Sequence, residues 1–218
     1  MNLIDRWASL FPPGDAAAEA AVTAAGLDLI ARYKEPHRRY HTVRHLTEVL
    51  HVVDQLASEA DDLDAVRLAA WFHDAVYQSG AGHPTDDVSN EEASALLAEL
   101  VLANLGVPAP RVAEVARLVR LTEKHAADVG DHNASVLFDA DLAILAADPA
   151  RYEQYTQAVR EEYREIPEDL FRPGRAQILN ALLQAPALYR TPAAYVHLES
   201  RARANVTAEI ARLTSPPK

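Results

Sequence analysis

The run Leu68-Ala69-Ala70-Trp71-Phe72-His73-Asp74-Ala75-Val76-Tyr77 is apolar on nearly every face except at His73 and Asp74. A helix that is hydrophobic all round belongs in a protein interior, so this run demands neighbours on every side. It also carries an imidazole and a carboxylate inward, and an unpaired buried carboxylate costs several kcal/mol or more. A metal ion satisfies both residue types at once. The pair therefore points to a metal site, provided other segments supply further ligands.

The rest of the chain predicts helices to surround it. Ala and Leu dominate, glycines number 7 in 218 residues, and no clear stretch alternates in the manner of a strand. The spacing of apolar residues and breakers predicts helices over residues 14–34, 42–56 and 61–78, the last carrying His73 and Asp74. A loop is expected over 80–87. Ser89-Asn90-Glu91-Glu92 has capping-box spacing, and Gly106 with Pro108 stops the helix it opens. Further helices are expected over 110–125, 134–147, 149–164 and 174–183, with Thr191-Pro192 opening a last one over 191–213. With no repeat and no dividing linker, the expectation is one all-α domain over residues 1–218.

Composition narrows the function classes. There is no cysteine, which excludes disulfides, thiolate ligands and a cysteine nucleophile. The net charge of −11 argues against binding polymeric nucleic acid. It does not exclude a small phosphorylated substrate, because a metal supplies local positive charge. No stretch approaches the ~20 apolar residues of a membrane span, and Met1–Arg6 lacks the pattern of a signal peptide, so a cytoplasmic protein without a membrane partner is expected. The scattered glycines form no phosphate loop.

Other segments do supply candidate ligands. His41 and His45 are four residues apart, a spacing that shares a helix face, although Pro36 and Tyr40 put His41 at the helix entrance. His45 leads an inward stripe of Val49, Val52 and Leu56. Asp141 shares a face with Leu137, Phe138, Ile144 and Leu145, whereas the phase of Asp139 puts it nearer the edge, as a supporting group or a surface charge. His125 is in phase with Leu118, Leu121 and Thr122.

The order His, His-Asp, Asp on an all-helical chain resembles the HD superfamily of metal-dependent phosphohydrolases, with His45, His73, Asp74 and Asp141 at the signature positions. The resemblance runs over about residues 39–190, leaving 191–213 as a C-terminal helix. It is closest to a subgroup without an assigned substrate, whose motifs match Tyr40–His45, Trp71–Asp74, Asn90–Ala95, Asp139–Leu142 and Val159–Tyr163. It implies an HD-type helical bundle and an ion such as Mn, Fe, Co, Ni, Zn or, less well, Mg, held by those four residues. The implied activity is hydrolysis of a small phosphorylated metabolite, a nucleotide or related phosphoester, with Asp74 also orienting the attacking water. Tyr40–His45 is further similar to a segment of the cyclic-nucleotide phosphodiesterases. That similarity implies His41 as proton donor, with Glu92 or Glu91 to orient it. His125 is a candidate for a second metal or for substrate, and Arg160, within Val159–Tyr163, for phosphate. Trp71, Tyr152, Tyr155 and Tyr163 are expected to be packing aromatics. Two alternatives share these residues. One is an HD-type di-iron oxygenase, for which His83, His125 and His132 fall in the right interval, His83 and His132 reading as solvent-facing loop residues; the other is a non-catalytic module stabilised by metal.

Overall fold

The computed structural model describes residues 2–78 and 88–215. In order, the helices are α1 (Leu3–Ala8), α2 (Ala16–Arg32), α3 (Val43–Gln55), α4 (Leu63–Phe72), α5 (Asn90–Asn104), α6 (Ala109–Leu121), α7 (His132–Asp141), α8 (Pro149–Glu162), α9 (Glu168–Gln184) and α10 (Pro192–Thr214). Short 3₁₀ turns follow α3 at Ala57–Glu59 and α7 at Leu142–Ala146. Among the described residues there is no strand, so the all-α expectation holds. The expected loop at 80–87 and His83 lie outside the described residues.

Helix α4 is the axis of the structure. Ala65, Val66, Leu68, Ala69, Ala70, Trp71 and Phe72 are all buried, and the helix packs against α3, α5, α6 and α7. Its alanines let those neighbours approach closely, while Leu68, Trp71 and Phe72 each contribute roughly 1.5–3 kcal/mol of burial. Side chains of Asp15, Thr42, Asp62, Ser89, Asp131, Asp148 and Thr191 each accept a first-turn backbone N–H. Such caps contribute about 1 kcal/mol each and fix where the helices begin.

The six-residue α1 has no counterpart in the sequence reading. It is too short to be stable alone, and tertiary packing holds it. Trp7 is fully buried edge-on against Trp71, with centroids 5.3 Å apart, and its indole N–H donates to the carbonyl of Val22 at 2.7 Å. Gly26 on α2 makes room, because a Cβ there would lie 2.5 Å from the Trp7 ring.

Four boundaries differ from expectation, one of them the end of α7, which stops at Asp141 instead of 147 and gives way to the 3₁₀ turn over Leu142–Ala146. Helix α4 stops at Phe72 instead of continuing through the His-Asp pair, and α6 stops at Leu121, short of His125. Helix α9 begins at Glu168, six residues before the expected start at 174, and passes through Pro173. Pro173 lies in the second turn, so the hydrogen bond it forfeits belongs to the carbonyl of Asp169, an exposed residue, where the loss costs least. Helix α10 packs on α9 and on the 142–146 turn, closing the structure over the end of α7. No helix among the described residues is long and apolar enough to cross a membrane.

Candidate metal centre

The chain leaves the helix at His73 because outside groups take over the carbonyls that end α4. His73 Nδ1 lies 2.8 Å from the Ala70 carbonyl, and the Tyr33 hydroxyl donates to the Trp71 carbonyl at 3.2 Å. The guanidinium of Arg38, 3% exposed, donates to the carbonyls of Asp74 at 2.7 Å and Ala75 at 3.3 Å. Helix ends leave such carbonyls unpaired unless something reaches them. The bond to Ala70 uses the proton on Nδ1, so Nε2 is the nitrogen that faces inward and is available to a metal in exchange for any proton it carries.

Four side chains meet there. His45 Nε2 is 3.1 Å from His73 Nε2, 3.3 Å from an Asp74 oxygen and 3.2 Å from an Asp141 oxygen. His73 Nε2 is 3.1 Å from Asp74 and 3.7 Å from Asp141. Helix α3 supplies His45, the end of α4 supplies His73, the turn after it Asp74, and the last residue of α7 Asp141. Both histidines are 2% exposed or less, and both carboxylates retain a little solvent contact.

The donor chemistry fits a divalent ion. Ligand atoms about 2.1 Å from a shared ion stand about 3–4 Å from one another, which matches these spacings. His45, His73 and Asp141 form a group able to hold a metal, and Asp74 lies against both imidazoles. Burial by itself raises the carboxyls of Asp74 and Asp141, but the surrounding histidines outweigh it and hold both well below the usual carboxylate range. Burial likewise disfavours charge on His45 and His73, yet the two carboxylates push both imidazoles upward. The cluster thus attracts positive charge to its centre.

Beside it, His41 is held by a residue the sequence reading had not chosen. Its Nδ1 is 2.7 Å from Oε2 of Glu162, the last residue of α8. Oε1 of the same carboxylate accepts the backbone N–H groups of Arg39, Tyr40 and His41 at 2.7, 2.8 and 2.9 Å. The Tyr77 ring stacks on the His41 ring at 4.1 Å, and its hydroxyl donates to Glu162 at 3.3 Å. Burial would raise the Glu162 carboxyl, but His41 and the backbone donors lower it to about 2.

Glu92 does not reach His41. Its carboxylate pairs with Arg120 through contacts of 2.6 and 2.8 Å, while its N–H is capped by Ser89. Only the Ser89 half of the capping box is therefore present, and the carboxylate that holds His41 is that of Glu162. Arg160 is not directed to the site either. It donates to Glu168, to the carbonyls of Tyr163 and Ile166, and lies over the Phe171 ring, stapling the α8–α9 turn. Arg175 is likewise engaged, by Glu209 and Tyr155, and Arg44 by Glu48.

His125 does arrive, by another route than helical phase. It sits in the loop after α6 with φ 45°, a left-handed conformation uncommon for a residue with a side chain. Its carbonyl accepts from Arg190 at 2.6 Å, and its Nε2 lies 2.9 Å from the second oxygen of Asp141. His132 is more than half exposed at the start of α7, near Asp61.

Asp139 is a correction. It is fully buried, not at an edge, and accepts the backbone N–H groups of Arg190 and Thr191 and the Thr191 hydroxyl. It anchors the start of α10. The other motif residues divide similarly between site and scaffold: Asn90 exchanges two hydrogen bonds with the backbone of Gln78, and Ser94 two with that of Val76. Trp71, Tyr152 and Tyr155 are buried and Tyr163 partly so, as expected of packing aromatics.

A hollow of about 180 Å³ opens beside the cluster, with His45 and Asp141 in its wall. A roomier one of about 600 Å³ near Phe11 and Val22 contains none of the candidate residues. No protein-family model, curated protein or solved structure matches this chain.

Proposed function

We propose that the protein is a metal-dependent phosphohydrolase acting on a small phosphorylated metabolite. The observation that carries this is the convergence of His45, His73, Asp74 and Asp141 within 3.1–3.7 Å, next to a histidine already fixed by a buried glutamate. A divalent ion bound there lowers the pKa of water and offsets charge on the phosphoryl group. Asp74, one of the two carboxylates that keep solvent contact, orients the water whose oxygen adds to phosphorus as the ester P–O bond breaks. His41 hands its Nε2 proton to the departing alkoxide and recovers one as the attacking water is deprotonated. Glu162 accepts the His41 Nδ1–H and keeps Nε2 pointed away from itself; Tyr77, stacked on the ring, prevents it from turning.

The test is phosphate release from a panel of phosphomonoesters by protein loaded with Mn, Fe, Co, Ni or Zn. His41→Gln should lose roughly 10²–10⁴ in kcat with metal content unchanged, whereas His73→Ala should lose metal and activity together. A metal-loaded protein that releases no phosphate from any ester contradicts the proposal.

His125 favours one alternative. Its position on the second Asp141 oxygen offers a further nitrogen ligand, as a di-iron oxygenase would need. Two irons per chain with oxygen-dependent activity would support that alternative.

A further inference from the structure

One arginine in the core is joined to both halves of the candidate site. The Arg38 side chain has no solvent exposure, and a buried guanidinium costs several kcal/mol unless its donors are met. Its acceptors come from two separate segments. Nη1 donates to the carbonyl of Asp74 at 2.7 Å and to the carbonyl of His41 at 3.1 Å, and Nη2 donates to that of Ala75 at 3.3 Å. Closing off the end of α4 accounts for the Asp74 and Ala75 carbonyls, but the carbonyl of His41 has no part in that helix end. Glu162 already holds the N–H groups of residues 39–41. Arg38 holds the same turn by its carbonyl and ties it, through a single nitrogen, to the turn that carries Asp74. The aromatic neighbours repeat the connection. The guanidinium carbon lies 5.2 Å from the Tyr33 ring, whose hydroxyl accepts the Asp74 N–H at 3.4 Å, and 5.4 Å from the Tyr77 ring, which stacks on His41. From the solvent side, Glu35 accepts the Nε–H at 3.1 Å.

We propose that Arg38 is a positioning residue that sets the His41 imidazole at a fixed separation from the Asp74 carboxylate, so that the proton donor and the group orienting the water act on one phosphoryl centre. The inference rests on the phosphohydrolase reading above and deepens it. Arg38 itself touches neither ester nor metal; it acts through two main-chain carbonyls. Lysine keeps the charge but loses the planar fork, so Arg38→Lys leaves the set of carbonyls incompletely met and frees one turn to shift against the other. A displacement of about 1 Å at a reacting group costs roughly 10²-fold in rate.

The test compares two monoesters, phenyl phosphate and 4-nitrophenyl phosphate. Phenolate needs the proton from His41 as it departs, whereas 4-nitrophenolate is stable enough at neutral pH to leave without one. In Arg38→Lys of native metal content, kcat on phenyl phosphate should fall by roughly 10²-fold and kcat on 4-nitrophenyl phosphate by far less. In a His41→Gln background, Arg38→Lys should add no further loss on phenyl phosphate, as expected of two residues that act through one group. A second readout needs no turnover: in cobalt-loaded protein, the paramagnetic shift of the His41 ring resonances, assigned by their loss in His41→Gln, should change or broaden in Arg38→Lys. Should Arg38→Lys fail to fold, Glu35→Ala removes only the solvent-side partner of Arg38. It should then widen the difference between the two esters by about two- to fivefold, the worth of a part-exposed ion pair. Equal losses on the two esters, losses that add to those of His41→Gln, an unaltered His41 shift, or an unchanged ester ratio in Glu35→Ala would overturn the positioning role while leaving the phosphohydrolase reading in place. Native protein that binds cobalt yet releases phosphate from neither ester overturns that reading and this inference together.

Discussion

Replacing Glu162 by Gln isolates the contribution of one buried charge. The substitution preserves shape and an acceptor oxygen, but removes the negative charge that three backbone N–H groups and His41 address. The carboxyl is lowered from an ordinary 4.5 to about 2. At 1.36 kcal/mol per pKa unit, the charged form stabilises the fold by about 3 kcal/mol at pH 7. Because the folded value lies below the unfolded one, acidification protonates the unfolded chain first. The contribution is therefore complete well above pH 4.5 and declines as pH falls towards 2, reaching roughly half or less by pH 3. Urea denaturation of native and Glu162→Gln proteins at steps from pH 7 to pH 3 measures the difference directly. A gap that narrows from about 3 kcal/mol as pH falls supports the derivation. A gap independent of pH, or below about 1 kcal/mol at pH 7, refutes it, because an uncharged hydrogen-bond acceptor would explain that much.

Three further outcomes follow from packing and hydrogen bonding. Gly26→Ala should lower stability by about 1–3 kcal/mol in thermal or urea melts despite alanine's better helix propensity, because the new Cβ strikes the Trp7 ring; a gain in stability would mean that Trp7 is not held there. Asp139→Asn should cost about 2–4 kcal/mol by loosening the start of α10 while leaving metal stoichiometry unchanged, and metal loss in that variant would place Asp139 at the centre instead. Arg160→Ala should cost about 1–2 kcal/mol of stability with KM for any phosphoester substrate unaltered; a large rise in KM would return Arg160 to phosphate recognition.

What was legible in the sequence was the polarity that had no business in an apolar run. His45, His73 and Asp141 stand out because their helical neighbours are hydrophobic, and the structure brings all three together with Asp74. Glu162 was hidden for the opposite reason. Helix α8 is polar overall, Glu161 beside it is exposed, and phase alone does not distinguish a glutamate that turns inward to meet a backbone turn more than 120 residues earlier. The Val159–Tyr163 pattern was the available signal, but its arginine drew the attention that its glutamate merited.

Asp139 and His125 expose the limit of helical phase more generally. Asp139 is buried because its partners are the N–H groups of Arg190 and Thr191, about fifty residues away and invisible to local periodicity. His125 reaches Asp141 through a left-handed loop residue, although phase had placed it on a helix that ends at Leu121. The end of α4 at Phe72 depends in the same way on Tyr33 and Arg38, whose roles as carbonyl partners follow from tertiary proximity alone.

The central claim is that these four side chains form a metal site. Its most direct test is metal analysis of the native protein, purified without chelator and then reconstituted, beside His73→Ala, Asp74→Ala and the control Asp139→Asn. Native protein and the control should carry about one or two equivalents of Mn, Fe, Co, Ni or Zn per chain, and the first two variants should carry none while remaining folded. Folded native protein that takes up no metal under any reconstitution condition would contradict the claim and leave the cluster as a hydrogen-bonded core.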